Sequence, residues 1–177
     1  MRMRANWVVA GLVVSGLAGA ASWAGLPRSE ADFFYVGDDD EAAGKVLGRS
    51  LSQIHGFQGI EVLGNGVVKI DYDDEPWLIS LTTYNDEFDR INVVSIYNGK
   101  AGNNRNPAAL QWANEMNSKY SAVKFQFDDD GDLVLDTWFT FHNHLPEAEL
   151  TAEIEASAKR IHFVLAANKD EARSFVQ

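Results

Sequence analysis

The chain of 177 residues contains no cysteine. Disulfide staples, thiolate metal sites, iron–sulfur clusters and cysteine nucleophiles are excluded together. An extracytoplasmic domain of this composition has to hold its fold by core packing. Positive charge is also short. Lysine and arginine number 15 against 26 carboxylates, a formal net charge of −11. Such a chain repels nucleic-acid phosphates at long range, so no nucleic-acid partner is expected. No glycine-rich phosphate loop is present, and none of Ser50, Ser52, Ser80 and Ser95 sits in a G-x-S-x-G elbow. No nucleophile with its base, and no carboxylate pair in an evident cleft, can be picked out. The expectation is a protein that is not an enzyme and uses no cofactor.

What is present is ample apolar material, 46% hydrophobic and 11% aromatic residues, enough for one packed domain. Arg2 and Arg4 precede an uncharged run from Ala5 to Ala21. Ala18-Gly19-Ala20 and Ser22-Trp23-Ala24 then supply small residues. This is the pattern of a secretory signal peptide cleaved after Ala20 or Ala24. The alternative is an uncleaved inner-membrane anchor, since the run approaches the ~20 residues that span a bilayer. Either way the rest is expected outside the cytoplasm, periplasmic or secreted. Membrane association is expected only if the segment is kept.

The reading divides the chain into residues 1–24, a leader over 25–40, a domain over 41–168 and a loosely held tail over 169–177. Asp38, Asp39 and Asp40 precede an apolar helical repeat at Ala43, Val46, Leu47, Leu51 and Ile54, with a stop at Gly56. Strands follow at Gly59–Leu63 and Val67–Tyr72 around Gly64-Asn65-Gly66, then Trp77–Thr83 and Arg90–Tyr97. Asp73-Asp74-Glu75-Pro76 and Asn85-Asp86-Glu87 are the intervening turns. Asn106-Pro107 opens a second helix with Leu110, Ala113, Met116, Asn117 and Tyr120 inward. Val123–Phe127 and Asp132–Phe141 form a hairpin across Asp128–Gly131. Pro146 opens a last helix with Leu150, Ile154, Ala158, Ile161 and Leu165 buried. The fold class is α+β: an antiparallel sheet of about five strands, three helices mainly on one face, and room for an extra N-terminal hairpin.

Trp112-Ala113-Asn114-Glu115-Met116-Asn117, then Val123 to Phe127, then Asp128-Asp129-Asp130-Gly131-Asp132-Leu133-Val134-Leu135 carry a resemblance to the YbjN family. It covers roughly residues 108–165, and the order of elements agrees from Glu41 onward. The resemblance implies a fold similar to that of type III secretion chaperones. It further implies protein or peptide binding, often as homodimers, and brings no catalytic residue. Asn114, Asn117, Asp130, Gly131 and Asp132 are the matching motif residues, read as structural. The best-known members are cytoplasmic and described as regulators, and an exported chain departs from that.

Candidate sites follow from residue type and spacing. Asp128, Asp130 and Asp132 alternate as calcium ligands do. However, Gly131 falls at the fourth position of such a loop, with Leu133 sixth and Phe139 twelfth, so a plain turn is expected. His142 and His144 share a face if the strand reaches them, but no third ligand stands at a recognisable spacing, so no metal is assigned. Trp138, with Asp136 and Thr140 beside it, faces away from Leu135 and Phe139. If the outer sheet face is open, these three are the candidate partner-binding residues. The leading expectation is a chaperone-like or adaptor domain that binds a protein or peptide. The alternative is a small-ligand or cation sensor that uses the acidic turns.

Overall fold

The computed structural model describes residues 33–35, 40–54, 56–64, 66–85, 88–142 and 144–177. The expected signal segment, most of the leader, His55, Asn65, Asp86, Glu87 and Asn143 lie outside the described residues.

A short strand β1 (Phe33–Tyr35) precedes helix α1 (Asp40–Ser52). Four strands follow: β2 (Gln58–Gly64), β3 (Val67–Tyr72), β4 (Glu75–Asn85) and β5 (Phe88–Tyr97). Helix α2 (Pro107–Lys119) leads to β6 (Lys124–Phe127), β7 (Leu133–Phe141) and β8 (His144–Pro146). Helices α3 (Glu147–Ala167) and α4 (Lys169–Ala172) complete the order. The main sheet is antiparallel, in the order β2-β3-β4-β5-β7-β6, and β1 pairs with β8 in a separate ribbon. The α+β reading holds with six strands instead of about five. The ribbon was not foreseen, because each of its strands has only three residues.

Alternation within each strand decides which face meets the core. Val68, Ile70, Trp77, Ile79, Leu81, Ile91, Val93, Phe125, Leu133 and Leu135 are all buried on one side. Ala43, Leu47 and Leu51 of α1 and Leu150, Ile154, Ala158 and Ile161 of α3 join them in one core. The helices thus roof one face of the sheet. Helix α2 differs from its expected stripe. Ala109, Trp112, Ala113 and Met116 are buried, while Leu110 is 41% exposed. The apolar positions that repeat at three and four start from Ala109, not Leu110.

Turns and caps follow their residue types. Asn106 caps α2 by accepting from the Ala108 N–H at 3.0 Å, with Pro107 at the first position. Asp73 and Asp74 form the two-residue β3–β4 turn with φ of 53° and 61°. Aspartate tolerates that left-handed backbone better than most residues.

The tail differs from expectation. Asn168, Ala172 and Val176 are buried, and Val176 bridges Gly99. The Phe175 ring packs 5.3 Å from Trp112. Its partners are Gly99 and helix α2, both distant in sequence, which a linear pattern does not show.

The free edge of β6 is closed by a side chain. Asn117 Oδ1 accepts the Phe125 N–H at 2.7 Å, and Asn117 Nδ2 donates to the Phe125 carbonyl at 2.9 Å. One carboxamide thus replaces the donor and acceptor that a neighbouring strand would supply. Asn117→Ala leaves both backbone groups without that partner and is expected to cost about 2 kcal/mol. Asn114→Ala, on the exposed side of the same helix, should change stability by less than about 0.5 kcal/mol. Denaturant titrations of the two variants compare them, and equal losses would refute the assigned role of Asn117.

Candidate functional site

Among the described residues, no helix packs on the face of the sheet opposite the core. Cross-strand register sets out its rows. One runs Lys69, Leu78, Val94, Asp136, Lys124. The next runs Val67, Ser80, Asn92, Trp138. The third runs Thr82, Arg90, Thr140.

Trp138 is 41% exposed. The Arg90 guanidinium carbon lies 4.6 Å from the centre of its ring, within cation–π range. Arg90 Nε donates to Asn92 Oδ1 at 2.6 Å, and Asn92 Nδ2 donates to Ser80 Oγ at 3.1 Å. A polar chain across β4 and β5 therefore fixes the cation against the indole on β7. Thr140, exposed, is the cross-strand neighbour of Arg90. Asp136 is half-buried, and its Oδ1 is buried without a hydrogen-bond partner. Burial pushes its carboxyl above the ordinary value, against the opposing pull of Arg90 and Lys124. The structure thus places Asp136, Trp138 and Thr140 in one line on the open face. Sequence reading did not supply Arg90, Asn92 and Lys124. Their alternation was visible, but the register that brings them beside Trp138 was not.

The acidic turn is elsewhere and serves the chain itself. Asp128 Oδ1 accepts from the N–H groups of Asp130 and Asp132 at 3.0 and 2.9 Å. Asp132 Oδ1 accepts from the Gly99 N–H at 2.7 Å. Gly131 sits at φ +90°, and its carbonyl accepts from Asn103 Nδ2 at 3.0 Å. The same amide donates to the Phe175 carbonyl at 2.8 Å. A Cβ on Gly99 would collide with the Gly131 carbonyl. Gly131 and Asp132 therefore tie the turn to the 98–105 loop, Asn103 joins that loop to the tail, and the Asp130 N–H closes the turn itself. Asn114 points outward, on a depression lined by Leu110 and other residues of α2 alone.

His142 is exposed at the end of β7, while His144 belongs to β8, so the two do not share one strand. Among the described residues, no group of three histidines or carboxylates is placed to hold a metal ion. Likewise, no described helix is long and apolar enough to cross a membrane.

A second cluster, missed in the sequence, joins α3 to the β3–β4 turn. His162 Nε2 lies 2.9 Å from Glu75 Oε2, and its ring centre is 5.1 Å from that of Trp77. The Tyr97 hydroxyl donates to the same carboxylate oxygen at 3.5 Å. The hydrogen bond to Glu75 raises the His162 pKa above its ordinary value, against the lowering effect of burial. Burial, then Glu75, raises that of Tyr97.

No protein-family model and no curated protein matches the chain. Among solved structures the fold is similar to that of YbjN from E. coli. That similarity has 15% identity and a TM-score of 0.41, and covers 63% of this chain and 81% of that one. It is also similar to an uncharacterized protein from Methanothermobacter thermautotrophicus, at 11% identity and TM-score 0.45, covering 72% and 96%. The likeness is one of fold.

Because folding raises the His162 pKa, its pair with Glu75 adds stability below pH 6.5, the ordinary value. That stability is lost as pH rises through the raised value. His162→Gln should remove this loss above pH 6.5, in denaturant midpoints read against pH. The part-exposed pair limits the effect to less than about 1 kcal/mol. Parallel pH curves for the two proteins would disprove the assignment.

Proposed function

We propose that the chain is a non-enzymatic binding domain of the bacterial periplasm, holding a protein or peptide partner on the open face of its main sheet. The observation that carries this is the one-sided roof, which leaves Trp138 41% exposed on the uncovered face. Aromatic side chains with a fixed polar surround are common anchors of protein contacts. Arg90, Asn92 and Ser80 already hold that surround in place, which lowers the ordering cost of binding.

Charge supports the same surface. The chain as a whole carries −11. On the open face the register sets Lys69, Arg90 and Lys124 against Glu61, Asp71 and Asp136, so carboxylates do not dominate there. The strongly acidic remainder opposes indiscriminate association, and the balanced face permits a specific one. The periplasmic location rests on the charged start and apolar run of residues 1–24. The cation-sensor alternative finds less support, because Asp128 and Asp132 spend oxygens on backbone N–H groups.

Trp138→Ala removes the anchor without opening the core. It should cost at most about 1 kcal/mol of stability through the lost Arg90 contact, and should abolish partner capture. The check is capture by tagged wild-type and variant protein from the envelope fraction, alongside their unfolding midpoints. Equal capture by both would overturn the reading. Sedimentation showing a dimer broken by the substitution would make the partner a second copy.

A further inference from the structure

Strands β6 and β7 are of unequal length. β6 pairs with β7 only from Phe127↔Leu133 to Lys124↔Asp136, while β7 continues to Phe141. On its other side β7 is paired throughout with β5, from Tyr97↔Leu133 to Asp89↔Phe141. Beyond β6, Thr137 Oγ1 donates to the Ala122 carbonyl at 2.7 Å; from Trp138 onward, among the described strands, β7 has a paired neighbour on one side only.

The direction of its backbone groups follows from Asn117. That side chain bonds the N–H and C=O of Phe125 from outside the sheet, so those groups point away from β7. The alternating groups of Lys124 and Gln126 then point toward β7, at Asp136 and Val134. Continuing the alternation, the N–H and C=O of Trp138 and Thr140 point to that same side, beyond the end of β6. Their side chains are exposed on the open face. A row of outward donors and acceptors of this kind is a template for an added strand.

Charge specifies what kind of strand. Arg90 lies over the Trp138 ring, and Arg160 Nη1 donates to Thr137 Oγ1 at 3.3 Å from the helix side. Lys124 stands exposed where β6 ends. Three cations thus border this half-edge from both faces of the sheet, in a chain whose net charge is −11. Asp136 is the carboxylate on the same stretch of the open face.

We propose that the unpaired half of β7 is a docking site for one extended, acidic segment of a partner protein, added as a strand in line with β6. This inference rests on the reading of the open sheet as the binding surface, and specifies how the partner is held there. Main-chain bonds to Trp138 and Thr140 supply the attachment. Alternate side chains of the added strand lie along the indole on one face and near Arg160 on the other. Lys124 and the two arginines select carboxylates.

The test uses the full chain and a short blocked peptide alternating valine and glutamate. Amide exchange by NMR should show the Trp138 and Thr140 N–H groups exchanging faster than those of Thr137 and Phe139 in the protein alone. The peptide should slow them. A version N-methylated at alternate residues should not bind, and a version with lysine for glutamate should bind roughly tenfold more weakly. Lys124→Glu, at an exposed position, should reverse that preference. Trp138 and Thr140 amides already protected in the isolated protein would show the edge covered by the chain itself and overturn the inference. Equal binding of the N-methylated or the lysine peptide would overturn it too. A captured partner that still depends on Trp138 would then leave the surface reading standing and sink strand addition alone. Capture unaffected by Trp138→Ala would remove the surface reading itself.

Discussion

A six-stranded antiparallel sheet presents two faces and two edges to water, and this chain supplies helices for one face. The rest of the structure depends on that imbalance. The roofed side takes the large apolar residues, with Trp77 and Phe125 almost fully buried. The other side has to remain soluble without becoming featureless. It does so by mixing apolar residues with hydrogen-bonded polar ones, and by fixing Arg90 across Trp138. Each edge is handled separately. β2 is broken by register shifts, and β6 is met by Asn117. What is left is the stretch of β7 that outruns its neighbour.

Much of the layout was legible because alternation is a local property. Val123, Phe125 and Phe127 against Lys124 and Gln126 declare a strand and its inner face within five residues. The orientation of Trp138 followed from the same count on β7. Helix stripes were less secure. The expected α2 stripe counts from Leu110, yet Ala109 and Trp112 set the true phase. Small residues carry little weight in a hydrophobic pattern, although they mark where a helix comes closest to its neighbour.

Other features depend on register or on contacts between distant segments, and no local pattern encodes them. Arg90 reaches Trp138 only because Asn92 pairs with Trp138 and Arg90 with Thr140. Glu75 and His162 are 87 residues apart in sequence and meet through the packing of α3. The aspartate-rich turn was recognisable as a turn, but its hold on Gly99 required the 98–105 loop to be in place.

The knot at the tail has a consequence for the order in which the fold can close. Lys100, Asn103 and Gln177 make bonds that span 72 to 78 residues, all involving the segment from Ser174 onward. Phe175 and Val176 complete the apolar cover beside Trp112 and Gly99. A chain synthesised N-terminus first cannot make these contacts until residues 174–177 are added. Until then, the 98–105 loop lacks the bonds that hold it to the tail, and no disulfide stands in for them.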